Sequence, residues 1–239
     1  MEKQKQITLL KMEEDMAYSV QKTALTLQIA FLLVVNIIFN ACTDKSETER
    51  LPYYNKPNFT PLFIGNKDSV SLLVPHQIAN FAFKDQNNQT ITQKDVEGKI
   101  HIADFFFTSC GSICPVMTNH MKKIDSTYKD DKNVVLLSYS VTPWLDSVKI
   151  LKVYAKRYNV TNPNWHFLTG SKSDIYTLAR QSYFAEEDLG FTKDSTNFLH
   201  TEHFLLIDKN KRIRGIYNGT LELEINQLIK DIAILRQED

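Results

Sequence analysis

The sequence predicts an α/β domain, a central mixed sheet flanked by helices with a β-hairpin added in front, and three observations carry that reading. Short β-rich runs alternate with amphipathic stretches across 100–184, the pattern of strands joined by crossover helices. Two further β-rich runs and one amphipathic stretch close the chain over 203–235. The hydrophobic content of 43%, with no repeat or low-complexity tract, suffices for one core behind a leader.

Taken in order, 69–74 and 78–83 read as strands, and the turn DQNNQT at 85–90 joins Phe83 to Ile91 as a hairpin. A short element begins near Thr92 and ends at Gly98. The brief apolar and aromatic run 100–107 is a buried strand, because turn residues Thr108, Ser109 and Gly111 follow at once. Pro115 suits a first helical turn, and Val116, His120, Lys123 and Ile124 continue at helical spacing toward Tyr128. Beyond it, 133–141 is a strand, 145–158 a helix, 165–168 a strand and 172–184 a helix. The segments 203–208 and 212–217 form a hairpin about 209–211, and 221–235 is the terminal helix.

The functional signal is concentrated in DFFFTSCGSICPVMTNHM, where Cys110 and Cys114 stand three residues apart on the strand-to-helix turn. At a helix N-terminus, unpaired N–H groups and the macrodipole favour a thiolate, so the acidity of Cys114 is expected to be raised. The pair is a nucleophile, a redox couple or a metal clamp. Two buried small hydrophobes or a structural disulfide are the plainer alternatives, and the Ser, Gly and Pro around the pair argue against a packed face. Acidic and basic residues balance at 28 each, so no bulk charge recruits nucleic acid or anionic lipid.

Residues 1–42 read as a leader. The uncharged apolar run 23–39 follows Lys22 and ends before Asn40, Ala41 and Cys42, as a secretory signal does. It resembles a bacterial lipoprotein signal, with cleavage after Ala41 leaving Cys42 as a lipidated N-terminus. A retained membrane anchor is the alternative that its length allows. Glu2, Glu13, Glu14 and Asp15 offset the lysines ahead of the run, whereas a start at Met16 gives a short positive n-region. The polar stretch 43–66 is expected to be a flexible tether, with the domain over 67–239. Export to the cell-envelope side leaves Cys110 and Cys114 as the only thiols of the domain, so a structural disulfide framework is excluded.

The strand, Cys-bearing turn and helix, followed by the closing β-β-α, resemble the thioredoxin fold. More narrowly, TSCGSICPVM, WHFLTG and HTEHFLLIDKNKRIRGIYNGT resemble the Sco/SenC family of copper-binding assembly proteins. The resemblance runs from about Val74 to the C-terminus. It implies a metal site of Cys110, Cys114 and His200, with Leu206, Ile207 and Asp208 ending the strand after the histidine. It also implies copper, as Cu(I) or Cu(II), as the ligand, and the cytochrome oxidase copper-binding subunit or another cuproprotein as the partner. The thiol pair is then also a redox pair able to reduce that subunit's cysteines. Soft Cu(I) suits two thiolates and one imidazole. Where family members carry an acid before the proline that follows the second core strand, this chain has Val141, Thr142 and Pro143, and Asp146 is the nearest carboxylate.

Of the other histidines, His76, His101, His120 and His166 are expected to be packing or surface residues, and His203, opening the FLLID strand, is the competitor of His200. The polar loop 185–199 is expected either to be a solvated connection or to carry His200 to the cysteines. The rival function is a membrane-tethered thiol:disulfide oxidoreductase or thiol peroxidase on the same fold. Against it stand CxxxC in place of CxxC, and His200 and Thr201 where a proline would precede the strand facing the cysteines.

Overall fold

The computed structural model describes residues 16, 28, 50–185 and 201–238. Cys42 and the loop 186–200, which ends on His200, lie outside them, as does the apolar run 23–39 apart from Gln28. Among the described residues no helix is long and apolar enough to cross a membrane.

The folded unit begins at Arg50, ahead of the expected boundary at Lys67. Strands β1 (Tyr53–Tyr54) and β2 (Pro61–Leu62) pair antiparallel, and β1 joins the sheet edge with Tyr54 opposite Ile213. Arg214 holds this segment. Its guanidinium donates to the carbonyls of Leu51 (2.7 Å) and Pro52 (3.0 Å) and lies 4.0 Å from the Tyr53 ring centroid. The contacts that hold residues 51–53 come from a residue more than 160 positions away.

The strand expected over 69–74 is helical instead. Asn66 accepts from the Asp68 N–H (3.0 Å) and opens a 3-10 turn, Lys67–Ser69, that runs into α1 (Val70–Leu73). Val70 and Val74, four residues apart, are buried, whereas Leu72 and Leu73 are exposed. A period near four is helical, not extended. The hairpin beyond it forms as expected, with Phe83 opposite Ile91 in β3 (Ala82–Lys84) and β4 (Thr90–Thr92). The Asp85 carboxylate accepts from the N–H groups of Asn87 and Gln89 and builds the turn. Thr92 and Asp95 then form a capping box on α2 (Gln93–Val96). Gly98, at φ 69°, turns the chain back toward the sheet.

The remaining elements follow the expected order: β5 (Ile100–Phe106), α3 (Ile113–Tyr128), β6 (Val134–Ser140), α4 (Val148–Arg157), β7 (Trp165–Leu168) and α5 (Lys172–Thr177). A π turn, Leu178–Ser182, prolongs α5, and β8 (His203–Ile207), β9 (Ile213–Asn218) and α6 (Glu222–Gln237) close the chain. The sheet order is β2-β1-β9-β8-β5-β6-β7. Strands β5, β6 and β7 are parallel, and β8 runs antiparallel to both β5 and β9. Every residue of β5 and β6 is buried, because cores form on both faces. On one face Ile102, Phe106, Leu136, Phe167, Phe204 and Leu206 share a cluster with residues of α3, α4 and α6. On the other, Ala103, Phe105, Leu137, Tyr139, Leu205 and Ile207 pack with Phe83, Ile91 and the α5 segment.

Candidate dithiol metal centre

Cysteine geometry follows from the junction of β5 and α3. Ser112 caps α3, Ile113 is its first residue and Cys114 its second, so both cysteines stand where the first-turn N–H groups are unpaired. Cys110 is partly exposed and Cys114 is buried, and neither is in a disulfide. Cys114 shares a core cluster with Phe106, Met117 and Met121, and Cys110 packs at its margin.

Against the expectation of a raised acidity at Cys114, it is Cys110 whose acidity is raised and Cys114 whose acidity falls. Burial opposes ionisation of Cys110, but hydrogen bonds from the backbone N–H groups of Cys114 and Ser112, from the Cys114 thiol and from the Ser112 hydroxyl outweigh it. The Cys110 thiol is brought down to about 7. Burial, above all, pushes the Cys114 thiol up to about 12, aided by Cys110 and the nearby Asp104 carboxyl, with only a main-chain hydrogen bond from Phe107 acting the other way. The helix N-terminus stabilises a thiolate as expected, but its N–H groups converge on Cys110, while Cys114 turns under the helix into the core.

The expected consequence is selective alkylation. Because the Cys110 acidity is raised, its thiolate fraction grows through about pH 7. Iodoacetamide should therefore label Cys110 with a rate that climbs between about pH 6 and 8 and then levels. Cys114 should stay unlabelled in the folded protein. Mass mapping of the labelled peptide checks this, and labelling of Cys114 first would contradict it.

Two carboxylates that sequence reasoning underused support the turn. Asp146 is buried, and its carboxylate accepts from the Thr108 N–H (3.2 Å), the Thr108 hydroxyl, the Ser140 hydroxyl (2.6 Å) and the Thr142 hydroxyl (2.9 Å). It thereby ties the cysteine turn to the end of β6. Asp104, six residues before Cys110, lies in β5 on the Cys114 face and accepts from the Ser138 hydroxyl (2.5 Å), which in turn accepts from Trp165 Nε1 (3.1 Å). Burial raises its carboxyl to about 7, with the Ser138 hydrogen bond opposing. A lone acid inside the apolar run IHIADFFF was the signal for it.

The histidines separate cleanly. His76 donates from Nε2 to the Ser182 carbonyl (2.8 Å) and stacks on Phe184. His120 donates from Nδ1 to the Gly219 carbonyl (2.7 Å), and His166 Nδ1 meets the Asp85 carboxylate (3.1 Å). His101 is fully buried against the Tyr183 hydroxyl (3.1 Å), and burial lowers it to about 3. All four are packing residues. His203 alternates with Leu205 and Ile207, which face the core opposite Cys114, whereas Phe204 and Leu206 share the Cys114 cluster. Among the described residues no group of three His, Cys, Asp or Glu side chains is gathered as for a metal. The site there consists of the cysteine pair.

Fold and site define a thioredoxin-like domain carrying a dithiol at the C-terminal edge of its parallel strands. The SCO1/SenC family model matches residues 73–236, and the chain belongs to that family. Among solved structures, it is similar to a SCO1/SenC family lipoprotein from Bacillus anthracis, with 30% identity, TM-score 0.59, and coverage of 68% of this chain and 96% of that one. It is similar to BsSco, a member of the Sco family of cytochrome c oxidase assembly proteins in which a disulfide switch was identified. That match has 30% identity, TM-score 0.57, and coverage of 68% and 95%. ScoI of Bradyrhizobium japonicum, solved with copper bound, shares the fold at 23% identity and TM-score 0.52, with coverage of 66% and 98%.

Proposed function

We propose that this domain binds one copper ion through Cys110, Cys114 and His200, and hands it to, or reduces the cysteines of, the copper centre of a cytochrome c oxidase. The observation that supports this most is the pair itself. Two soft sulfur donors share one strand-to-helix turn at the C-terminal end of β5, Cys110 partly exposed and Cys114 buried, which is the donor set Cu(I) favours. Strand β8 is antiparallel to β5, so the chain enters β8 at the edge where the cysteine turn leaves β5, and His200 precedes that entry by three residues. His203 faces the other core. The copper-bound and oxidase-assembly relatives support the choice of metal and acceptor.

In anaerobic titration of the reduced domain, from Arg50 on, Cu(I) is expected to bind at one equivalent. Cys110→Ser and Cys114→Ser should each weaken it by about a hundredfold or more, near 3 kcal/mol. His200→Ala should weaken Cu(II) more than Cu(I), and His203→Ala should leave both unchanged. Loss of binding in His203→Ala with none in His200→Ala would overturn the ligand set.

The asymmetry of the two thiols favours a second use of the same pair. An accessible thiolate beside a buried, weakly acidic thiol is the arrangement of an attacking and a resolving cysteine, as in a thiol:disulfide oxidoreductase. Absence of copper binding together with rapid disulfide exchange would make that the sole function. The same proposal takes Cys42 as a lipidated N-terminus that tethers an exported domain to the cell-envelope membrane, supported by the lipoprotein relative, with a retained anchor over 23–39 as the alternative.

A further inference from the structure

We propose that a cavity at the far end of the sheet from the cysteines binds a phosphate group, free or esterified, with Arg212 as its anchor. This goes beyond metal and thiol exchange and uses none of the residues that perform it.

The place follows from the topology. His101, near the start of β5, pairs with Ile207 at the end of β8, so the turn from Asp208 to Arg212 lies at the opposite end of β5 from the cysteine turn. The 7 residues of β5 separate the two, about 20 Å of strand. A cavity of about 420 Å³ opens at this end, within the range of about 300–1,000 Å³ of small-molecule sites. Its lining includes four cationic side chains, Lys67, Lys209, Arg212 and Arg214, against two carboxylates, Asp208 and Glu238. In a chain whose charges balance at 28 each, this is a local surplus of positive charge.

Both carboxylates are already engaged. Glu238 accepts from the two Nη groups of Arg214 (2.7 and 3.1 Å). Asp208 accepts from the main-chain N–H groups of Asn210 and Arg212 (2.9 Å each) and stands 3.5 Å from Arg214. The Arg212 guanidinium bonds to neither. Arg212 is 7% exposed, and its Nε donates to the Val74 carbonyl (3.0 Å). Its two Nη groups, with four N–H donors, have no hydrogen-bond partner among the described residues. A buried cation with its donors unspent is costly, and the guanidinium fork matches two oxygens of a phosphate. Tyr53 adds a neutral donor to the cavity wall. Its ring lies on Arg214, its hydroxyl is within range of the charges of both arginines and both carboxylates, and that hydroxyl also has no hydrogen-bond partner among the described residues. Cations and donors for more than two oxygens suit a tetrahedral oxyanion better than a planar carboxylate, which the fork alone would satisfy. Two sources offer that chemistry, free phosphate and the phosphodiester of an anionic lipid headgroup. The second is within reach in the tethered form proposed above, because Tyr53 follows Cys42 by eleven residues, at most about 40 Å of chain. A headgroup bound there would hold the cysteine turn away from the bilayer.

The test uses the full chain in a neutral detergent, free of metal, so it is independent of the copper titration. Calorimetric titrations are run with inorganic phosphate, with glycerophosphoglycerol, which is an anionic lipid headgroup without its acyl chains, and with acetate. One equivalent of phosphate or glycerophosphoglycerol is expected to bind, and acetate about tenfold or more weaker. The tighter of the two phosphates identifies the source. Arg212→Gln should weaken binding by about tenfold or more. Because Arg212 is buried, Tyr53→Phe and Lys209→Gln are measured beside it. The first removes only a hydroxyl and the second only a charge at a partly exposed site, and each should weaken binding by about threefold or more. The pH profile of Cys110 alkylation, read at the other end of the sheet, should be unchanged in all three variants and reports an intact fold. Absence of binding by both phosphates, or acetate binding as tightly as they do, would overturn the proposal. So would full affinity in both Tyr53→Phe and Lys209→Gln, or in a folded Arg212→Gln.

Discussion

In Asp104→Asn, folding stability is expected to rise by about 3 kcal/mol as pH is raised from about 4 to 6.5, while the wild type stays nearly level over that interval. Two buried groups oppose each other there. The Asp104 carboxyl is raised by burial from 3.8 to about 7 in the fold, so its contribution is fully present below the unfolded value and is lost as pH climbs through about 7. His101 is lowered by burial from 6.5 to about 3, so its contribution is fully present above pH 6.5 and is lost as pH falls toward 3. Between the two unfolded values the slopes have opposite sign and similar size, at about 1.4 kcal/mol per unit. The asparagine cannot ionise, keeps a partner for the Ser138 hydroxyl, and removes only the falling limb. Urea unfolding of both proteins across this range measures the difference, and parallel pH profiles would refute the assignment.

Arg214→Ala carries the second large effect, a loss of about 3–5 kcal/mol. The Arg214 side chain is almost wholly buried, and it donates to Glu238 (2.7 and 3.1 Å) as well as to the Leu51 and Pro52 carbonyls, with Asp208 at 3.5 Å. Alanine would leave two carboxylates and two carbonyls without their cation, and leaving a buried charge unpaired costs more than the pair had gained. The damage should start at the sheet edge. Hydrogen exchange of Tyr54 is expected to accelerate before that of β5 or β6, whereas a uniform acceleration would mean that Arg214 does not pin β1. Lysine should recover little, because a single ammonium cannot reproduce the fork that spans both carbonyls and Glu238.

How much of this was legible in the chain depended on the range of the interactions involved. The buried strands β5 and β6 and the amphipathic helices α3 and α6 were readable because each carries its hydrophobic pattern within its own residues. The β3–β4 register was readable because the Asp85 turn sets it locally. The Val70–Leu73 helix was missed because so short a run of Val, Ser and Leu fits either period, and the Asn66 cap and the burial of Val70 and Val74 settled the choice. The place of residues 51–53 at the sheet edge was not legible, because Arg214 holds them from the far end of the chain.

For the site, the two cysteines and their place at the head of a helix were fixed by adjacent residues, and so was their chemical class. Which thiol ionises was not, since a dipole acts on both and burial acts on one. Packing of Cys114 against Phe106, Met117 and Met121 withdraws it from the first-turn N–H groups that Cys110 receives. Asp146 and Asp104 belong to the same category, because their roles arise only when β5, β6 and the loop after β6 are brought side by side. Composition and spacing established which groups the chain possesses, and tertiary packing assigned them their acidity and their neighbours, because desolvation and hydrogen-bond supply are properties of position in space.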